Sequence, residues 1–485
     1  MNSRPDQARA FITEPHAGAE AAPAVGIVSL GCAKNLVDGE IMLGSILKEG
    51  MRIVSDPDQA DVIIVNTCAF IDPAKEESIE AILQAHQDRG LRKQSDQRLI
   101  VSGCMSQRFS KELTSELPEV DAFMGLDQIA EAGRIVREVL ERPPAAHPRG
   151  GGSPLDLVTG SPRFIPDYDT PRYRLTPAHF AYVKIAEGCN HPCTFCVIPR
   201  MRGRHRSRTI ASVVEEVRRL VAEGVKEFNL ISQDTTYFGM DLWAEKAGPR
   251  TRVDSTRGPT LIDLIEALEK IEGDFWVRLL YTHPAHWSRD LMQAIRDSSK
   301  VVRYVDMPLQ HIHSEMLSLM RRETSREHIE ILIEDLRQTI PGLTLRTTFI
   351  VGFPGETQAH FESLLEFIEK TRFERLGIFC YSKEEESRAA KMPGHLSKSV
   401  KNRRYREAMT VQKRIACEIA KASVGREMRV LVESPSVARS EGDAPDVDCR
   451  VLLETPATVG QFAMVRITAS KGYDTEGRVV QNRGQ

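Results

Sequence analysis

The stretch "FAYVKIAEGCNHPCTFC", residues 180 to 196, joins a strand-like apolar run to a loop that holds three cysteines. The β-branched and aromatic residues of "FAYVKIA" predict a buried strand. Directly after it, Cys189, Cys193 and Cys196 lie within eight residues of one another. Because soft metals are usually held by four thiolate or imidazole ligands, the loop raises the question of what supplies the fourth ligand.

Downstream of this stretch, apolar strands alternate with amphipathic helices such as "IASVVEEVRRLVAEG" and "FESLLEFIEKT". The six predicted strands are "FAYVKIA", "EFNLIS", "WVRLLY", "VRYVDM", "LRTTFIV" and "RLGIFCY". Right-handed crossovers curl such a parallel sheet in one direction. The pattern therefore predicts a partial β/α barrel, similar to a TIM barrel, over residues 178–412.

Two smaller domains flank the predicted barrel. Strands "AVGIVSL", "DVIIVN" and "LIVSG" alternate with helices "DGEIMLGSILKEG" and "DPAKEESIEAILQA", which predicts a doubly wound α/β domain over 25–142. Strands "MRVLVE", "CRVLLE" and "FAMVRITAS", separated by turn residues, predict a small all-β barrel over 413–485. The overall fold class is α/β.

The connecting segments have a different composition. Residues 143–177 contain eight prolines and a "GGG" run at 150–152, so we predict a linker there. Residues 1–24 lack the continuous apolar core of a secretory signal and are predicted to be a disordered tail.

A second set of three cysteines precedes the linker. Cys32, Cys68 and Cys104 are 36 residues apart in each case, and each follows a strand, in "IVSLGC", "IIVNTC" and "LIVSGC". Since ligands of a parallel sheet gather at the carboxyl ends of its strands, the spacing predicts a metal site at one sheet edge. Three separate buried cysteines are the alternative, because cysteine is a common core residue.

Composition limits the possible functions. Hydrophobic residues make up 41% and charged residues 27% of the chain, which is ordinary for a globular protein. The apolar runs are shorter than the roughly 18 residues that a membrane span needs, so we expect a cytoplasmic protein. The nine cysteines show no pattern of stapled loops. A net charge of −3 provides no general attraction to nucleic acid.

For the 189–196 loop, two kinds of metal site stay open on these grounds. Zinc requires a fourth protein ligand, and His191 is a poor candidate because its neighbours already commit the backbone. A 4Fe-4S cluster held by three thiolates leaves one iron open for a cofactor. The zinc alternative corresponds to a zinc-stabilised RNA-binding protein.

Cys189, Cys193 and Cys196, with Phe195 before the last, match the C-x-x-x-C-x-x-C signature of radical S-adenosylmethionine (SAM) enzymes. "SLGCAKNLVDGE", "VNTCAFIDPAKEES" and "GCMSQR" resemble the N-terminal domain of the methylthiotransferase family. "EGCNHPCTFCVIPRMRGRHRSR", "LISQDTTYFGMD", "DMPLQH" and "RTTFIVGFPGET" resemble its radical SAM barrel, and the C-terminal module resembles a TRAM domain. The resemblance extends from about residue 25 to the end.

The resemblance implies the cofactors. One 4Fe-4S cluster would be held by Cys32, Cys68 and Cys104 and would handle the inserted sulfur. The other would be held by Cys189, Cys193 and Cys196, and its free iron would be chelated by SAM, whose reductive cleavage supplies a radical. An electron donor and a sulfur source are implied as partners. We expect no catalytic side chain beyond the clusters, because the C–H bond attacked has no acidity to exploit.

Within the family, "SLGCAKNLVDGE", "QDTTYFG", "YSKEEES" and "ARSEGDAPDVD" most resemble the branch that modifies an aspartate of a small-subunit ribosomal protein. Another branch modifies a tRNA adenosine beside the anticodon, which is the alternative substrate. Residues 425–485 contain 8 basic and 9 acidic residues. Because a phosphate-binding surface should be basic, this balance favours a protein substrate.

Several residues at predicted barrel strand ends are candidates for the cofactor site, since a β/α barrel builds its site there. The predicted cofactor-binding residues are Gln233, Gln310, Arg346, Gly352 and Glu356. Arg278 and Arg346 lie inside apolar strands and are expected to face the lumen, where a carboxylate would satisfy their charge. Turns, caps and internal salt bridges are the alternatives for all of them.

The basic run "RMRGRHRSR", residues 200–208, is typical of a solvated face or an RNA-binding patch. Its place beside the cysteine loop also allows it to border a substrate entrance. Cys380, Cys417 and Cys449 have no partners at metal-like spacing, so we predict that they are structural.

Overall fold

The computed structural model describes residues 22–91, 96–145 and 153–480, so most of the predicted N-terminal tail and the "GGG" run lie outside the described residues. The chain divides into two compact units. The first extends to Thr176 and also includes Glu187–Cys189 and Val197–Arg204. The second comprises Pro177–Ala186, Asn190–Cys196 and the chain from His205 onward.

The first unit contains a six-stranded parallel sheet in the order β2-β1-β3-β4-β5-β6. Its strands and helices are β1 (Ala24–Ser29), α1 (Ala33–Lys48), β2 (Arg52–Ile53), β3 (Val62–Thr67), α2 (Asp72–Leu91), β4 (Arg98–Gly103), α3 (Cys104–Glu116), β5 (Ala122–Phe123), α4 (Ala132–Glu141) and β6 (Leu155–Asp156). Every residue of β3 and β4 is buried, as expected for central strands of a parallel sheet covered on both faces. The predicted α/β sheet is present.

The predicted linker differs from the structure in one respect. Leu155 and Asp156 lie inside the 143–177 segment but pair in parallel with Ala122 and Phe123 of β5. A two-residue edge strand that follows a proline carries no detectable hydrophobic period. Its pairing with β5 is a tertiary contact that the local sequence does not encode.

The second unit is built on a parallel sheet of six strands in the order β14-β13-β12-β11-β10-β7. In chain order, the six strands and the longer helices between them are β7 (Phe180–Lys184), α6 (Ile210–Ala222), β10 (Glu227–Ile231), α7 (Leu261–Glu269), β11 (Trp276–Leu279), α8 (Arg289–Asp297), β12 (Val301–Asp306), α9 (Ser314–Leu319), α10 (Arg326–Thr339), β13 (Thr344–Val351), α11 (Gln358–Thr371) and β14 (Arg375–Cys380). The short elements β8 (Ala186–Glu187), α5 (Ile198–Met201) and β9 (Arg206–Ser207) belong to the segment after β7. All six predicted strands are present, and the open sheet is a partial barrel.

The C-terminal part of the second unit begins with the long helix α12 (Lys398–Ala422), so the predicted boundary at residue 413 falls inside a helix. A closed five-stranded barrel follows in the order β15-β16-β17-β19-β18. Its strands are β15 (Glu427–Ser434), β16 (Val437–Ser440), β17 (Val451–Leu453), β18 (Phe462–Lys471) and β19 (Asp474–Val479). The sequence predicted three of these five strands. No helix within the described ranges combines the length and apolarity required to cross a membrane.

Candidate metal centres

Cys32, Cys68 and Cys104, the first triple, lie at the carboxyl edge of the first sheet. Cys68 and Cys104 directly follow β3 and β4, and Cys32 follows β1 after two further residues. These three strands are neighbours, and the strand order reverses between β1 and β3, where open α/β sheets bind their ligands. The charge of Cys32 acts on Cys68, and the charges of Cys68 and Cys32 act on Cys104. The structure therefore brings the three thiols together.

Close packing around the first triple requires a glycine. Gly31 has a φ of +89°, and a Cβ added to it would lie 2.7 Å from Cys68 Cβ and 3.0 Å from Cys68 Sγ. Both the backbone conformation and the lack of space exclude a side chain there. The glycine in "LGC" thus lets the β1 loop approach the second thiol of the set.

The thiols of the first triple have different electrostatic surroundings. Burial raises the pKa of Cys104 to about 12, although Arg202 opposes this effect. Burial and the neighbouring Cys32 raise the pKa of Cys68 to about 11. Desolvation also raises the pKa of Cys32, but the charges of Lys34 and Arg202 and the N–H groups at the start of α1 outweigh it, so this pKa is lowered. A coordinated metal deprotonates its thiol ligands, so three thiols at neighbouring strand ends fit an iron-sulfur cluster.

A buried arginine donates a hydrogen bond to one thiol of the first triple. Arg202 follows α5 in the first unit and is only 2% exposed. Its Nη1 donates to Glu187 Oε1 at 2.9 Å, and its Nη2 donates to Asp38 Oδ2 at 3.0 Å and to Cys104 Sγ at 3.1 Å. Sequence reasoning placed Arg202 in a basic surface run, and only the buried acidic partners reveal its different role.

Cys189, Cys193 and Cys196, the second triple, lie in the loop after β7, with Cys189 in the first unit and the other two in the second. The loop is fixed in several places. The Cys189 N–H donates to Gly203 O at 3.1 Å. Thr194 donates from its N–H to Met320 O at 3.0 Å and from its hydroxyl to Leu319 O at 2.9 Å.

Hydrophobic packing adds to these hydrogen bonds. Phe195 packs against a small buried cluster that contains Met320, Phe353 and Tyr381. This packing and the hydrogen bonds together hold the loop against the second unit's residues.

His191 holds the same loop in place through two carboxylates of the second unit. Its Nε2 lies 2.7 Å from Asp234 Oδ2 and its Nδ1 lies 3.2 Å from Glu323 Oε2. Burial alone lowers the pKa of His191, but the hydrogen bonds to the two carboxylates outweigh burial and raise the pKa to about 10. An imidazolium that donates both N–H groups has no lone pair for a metal. His191 therefore does not fit as the fourth ligand of a zinc site.

The second triple also has an arginine on one of its thiols. Arg322, which is 9% exposed, donates from Nη2 to Pro308 O at 2.9 Å and from Nη1 to Cys193 Sγ at 3.5 Å. Sequence reasoning did not single out Arg322, because nothing in its local pattern distinguishes it from a surface arginine of the loop after α9.

Four of the five predicted cofactor-binding residues lie at or beyond the carboxyl ends of barrel strands. Gln233 follows β10, and Gly352 and Glu356 follow β13. Gln310 follows β12 with a φ of +73°, and its backbone bonds to Thr348 and Ile350 of β13. Positive φ at a residue other than glycine is uncommon and strained, so neighbouring structure fixes this turn at the edge where barrels build their sites.

Glu356 has partners within its own turn and beyond it. Its Oε2 accepts from the backbone N–H groups of Gly352 and Phe353, and its Oε1 pairs with Arg404 Nη1 at 3.0 Å. These contacts are the turn cap and internal salt bridge that the sequence left open as alternatives. A cofactor-binding role for Glu356 stays a prediction.

Arg278 and Arg346 both form ion pairs with carboxylates of the protein. Arg278 Nε donates to Glu227 Oε1 at 2.8 Å. Arg346 Nη1 donates to Asp306 Oδ1 at 2.8 Å, and its Nε lies 3.4 Å from Asp448 Oδ1. Internal ion pairs thus neutralise the charge of both guanidinium groups, although Arg278 Nη2 meets no hydrogen-bond acceptor among the described residues. Cofactor binding by Arg346 stays a prediction.

The carboxylate of Asp448 comes from the C-terminal barrel, whose loop between β16 and β17 packs against the amino-terminal half of the larger sheet. Tyr304 donates its hydroxyl to Asp448 Oδ2 at 2.6 Å, and Arg375 Nε donates to Asp443 Oδ1 at 2.8 Å. Arg439, fully buried, bonds to Glu227. Because these charges are internal, the charge count over 425–485 does not describe an outer surface, and the electrostatic support for a protein substrate weakens.

The basic run 200–208 is not a continuous solvated face. Arg202 and Arg208 are 2% and 4% exposed, whereas Arg200 and Arg204 are exposed. Arg208 Nη1 donates to Lys184 O at 3.0 Å, and its Nη2 donates to Ser212 Oγ at 2.8 Å. The run therefore contains buried structural arginines as well as surface ones.

Comparison with known protein families divides the chain into three. Residues 24–125 match the family described as "Uncharacterized protein family UPF0004". Residues 183–368 match the radical SAM superfamily, and residues 424–480 match the TRAM domain. The three matches coincide with the first sheet, the partial barrel and the small closed barrel.

Curated relatives extend the similarity over nearly the whole chain. The ribosomal protein uS12 methylthiotransferase RimO of Opitutus terrae is 59% identical over 452 residues, which cover 93% of this chain and 95% of that protein. The protein of the same name from Akkermansia muciniphila is 51% identical, with 93% and 98% covered. A third, from Geotalea uraniireducens, is 44% identical, with 94% and 98% covered.

Solved structures support the fold. The radical SAM methyltransferase TsrM from Kitasatospora setae, with tryptophan and a SAM analogue bound, aligns with a TM-score of 0.50 at 14% identity. The alignment covers 74% of this chain and 73% of that one. At this identity the likeness concerns the fold alone.

Proposed function

This chain belongs to the family of ribosomal protein uS12 methylthiotransferases, RimO, and on this premise we propose that it adds a methylthio group to the β-carbon of an aspartate in ribosomal protein uS12. The observation that carries the proposal is the pair of cysteine triples in a chain 59% identical to a RimO over 93% of its length. It is a radical SAM enzyme with 4Fe-4S clusters and SAM as cofactors.

We assign one cluster to each triple. Cys32, Cys68 and Cys104 would hold the cluster that handles the inserted sulfur, and Cys189, Cys193 and Cys196 would hold the cluster that binds SAM. When bound, the clusters and SAM supply reductive cleavage, radical formation and sulfur transfer. Support comes from the crowded thiols at the strand tips and from the anchored loop after β7.

The side chains of this protein then bind, orient and exclude water. His191 holds the second cysteine loop against Asp234 and Glu323. Gln233, Gln310 and Gly352 follow strands whose carboxyl ends share an edge with the end of β7, and we propose that they, together with Glu356, contact SAM. We propose Arg346 as a further SAM contact, which requires that its ion pair with Asp306 or Asp448 breaks.

The proposal also includes partners and location. A one-electron donor and a sulfur source are needed, because neither the thiols nor SAM supplies the electron or the sulfur atom that the product gains. Since uS12 is a small-subunit ribosomal protein, we propose that the enzyme acts in the cytoplasm, where ribosomal subunits are assembled.

The experiment is mass spectrometry of uS12 and of tRNA from cells that lack the gene, complemented with wild-type protein or with a Cys193→Ala variant. We expect wild-type protein alone to restore the mass of a methylthio group on a uS12 aspartate. Cys417→Ala, a change in α12 outside both triples, is the matched control and should restore it as well.

Two outcomes would contradict the proposal. Restoration of a methylthio group on tRNA adenosine, with uS12 unchanged, would assign the enzyme to the tRNA branch of the family. Zinc without iron in protein purified under anaerobic conditions would favour the RNA-binding alternative. A brown protein with about eight irons per chain, as two cubanes imply, supports the proposal.

A further inference from the structure

We infer that each cysteine triple carries its own buried arginine, Arg202 for the first and Arg322 for the second, which donates to a ligand sulfur and sets the reduction potential of the cluster held there. The inference rests on the assignment of clusters proposed above. It adds two residues to which the sequence patterns assign no role.

The contact of Arg202 is the shorter one. Its Nη2 donates to Cys104 Sγ at 3.1 Å, and the guanidinium is 2% exposed. Asp38 and Glu187 accept from the same guanidinium at 3.0 and 2.9 Å, with their side chains 1% and 5% exposed. Two buried carboxylates fix the position of the donor, because turning away from the thiol would break both ion pairs.

The position of Arg322 is fixed differently. Its Nη2 donates to Pro308 O at 2.9 Å, and this backbone contact directs Nη1 toward Cys193 Sγ at 3.5 Å. The distance is within reach of a hydrogen bond to the larger sulfur atom. Among the described residues, no hydrogen-bond acceptor meets its Nε.

A guanidinium in this position acts on a cluster through its charge and its hydrogen bond. The reduced cluster carries one more electron, taken from an external one-electron donor, and is therefore the more negative state. A positive donor on a ligand sulfur stabilises that state and raises the reduction potential, because hydrogen bonds to sulfur and net charge are the main determinants of the potential. Each arginine should therefore affect the cluster on its own triple most strongly.

The test measures the two potentials separately in full-length protein reconstituted under anaerobic conditions. A background with Cys189, Cys193 and Cys196 changed to Ala retains only the first cluster. A second background with Cys32, Cys68 and Cys104 changed to Ala retains only the second. Arg202→Gln and Arg322→Gln are introduced into both, and midpoint potentials are measured by redox titration with dithionite, monitored by electron paramagnetic resonance.

We expect Arg202→Gln to lower the potential of the first cluster and leave the second unchanged, and Arg322→Gln to do the reverse. Arg208→Gln is the matched control, since Arg208 is buried in the same basic run but bonds to Lys184 and Ser212. It should shift neither potential. Equal shifts in all three variants would indicate a general loss of structure and overturn the inference.

A second variant covers the case in which glutamine destabilises the first site. Arg202→Lys keeps the positive charge opposite Asp38 and Glu187, and we expect a smaller shift than with glutamine. Unchanged potentials at full iron content in both Arg202 variants would overturn the inference. So would loss of the first cluster in both with unchanged thermal unfolding, because Arg202 would then hold the cluster instead of setting its potential.

The outcomes separate the two proposals. If wild-type protein contains fewer than two clusters, the proposed function fails before any arginine is changed. If both clusters are present and catalyse methylthiolation, while the potentials do not respond to Arg202 or Arg322, only the present inference fails.

Discussion

Each cysteine triple positions its own three thiols, and the two triples do so in opposite ways. The first draws one thiol from the end of each of three neighbouring strands, over a chain length of 72 residues, and its geometry belongs to the sheet. The second places its thiols within one eight-residue loop, and its geometry depends on side chains such as His191 that hold the loop. A sheet edge provides rigidity through burial, whereas a loop must obtain it from specific anchors.

The largest effects are expected when one thiol is removed from each triple in turn. Cys104→Ala should remove about half of the iron, as loss of one of two cubanes implies, while 5′-deoxyadenosine still forms from SAM. Cys193→Ala should remove a similar amount of iron and abolish 5′-deoxyadenosine formation. Iron analysis and chromatography of the nucleoside measure both. Formation of 5′-deoxyadenosine by the Cys193 variant would refute the assignment of the second cluster.

The next largest effect is expected from the anchor of the second loop. His191→Asn removes the imidazole that bonds to both Asp234 and Glu323. This should cost about 3 kcal/mol of the free energy of unfolding, the lower end of the range for a broken buried ion pair, because Asp234 keeps His286 Nε2 at 3.2 Å. We expect weaker cluster binding at the second triple only. Chemical denaturation and iron content after desalting measure the two effects.

His328→Asn serves as the control for that change, because His328 lies in the same unit and its imidazole Nε2 bonds to a backbone carbonyl, Pro284 O at 3.0 Å, rather than to a carboxylate. It should leave both clusters in place. If His191→Asn kept its second cluster as firmly as the wild type, the loop would not need this anchor.

A smaller effect separates conformation from packing at the first triple. Gly31→Ala forces a residue into a φ of +89° and brings its Cβ to 2.7 Å from Cys68 Cβ. Gly50→Ala forces a similar φ of +77°, with no neighbouring atom within 4 Å of the added Cβ. Since the backbone penalty is shared, the Gly31 variant should be less stable by a further 1–3 kcal/mol, about the range for overpacking.

Thermal unfolding and the iron content of the first site measure this difference. Equal stability of the two glycine variants would mean that the loop after β1 moves away from Cys68 at little cost. The sheet edge would then be less rigid than the comparison assumes.

The smallest expected effect lies farthest from the metal centres. Asp448→Asn keeps an acceptor for the Tyr304 hydroxyl but removes the charge opposite Arg346, and we expect a loss of about 1–2 kcal/mol of the free energy of unfolding. Calorimetry measures the change. Both clusters should stay at full iron content, because Tyr304 and Arg346 lie inside β12 and β13 and not in the loops that follow them.

The sequence predicted the strands that form apolar runs and missed short or polar ones. The six strands of the partial barrel and the three central strands of the first sheet were all predicted, because each contains a run of β-branched or aromatic residues. The edge strand at Leu155–Asp156 and the strands β16 and β19 were missed. These strands are short or polar, and only pairing with a neighbour stabilises them.

The residues of the candidate sites also divide into those that the sequence identified and those that it did not. The six cysteines could be identified from the sequence, because a strand end and a fixed spacing are local features. Arg202 and Arg322 could not, because Arg202 meets Asp38 across 164 residues and Arg322 meets Cys193 across 129. The basic run mixes buried and exposed arginines, and the charge balance of the C-terminal module includes buried groups, for the same reason: burial against distant partners decides what a charged residue does.

The sequence by itself determined the α/β fold class and the two sets of three thiols, because these follow from periodicity and spacing along the chain, and its motifs resembled those of the family to which the protein belongs. Tertiary structure alone decided that Gly31 must be a glycine, that His191 is held by two carboxylates and that an arginine faces a thiol in each triple. Such features depend on atoms that approach within 4 Å from distant parts of the chain, and no local pattern records that approach.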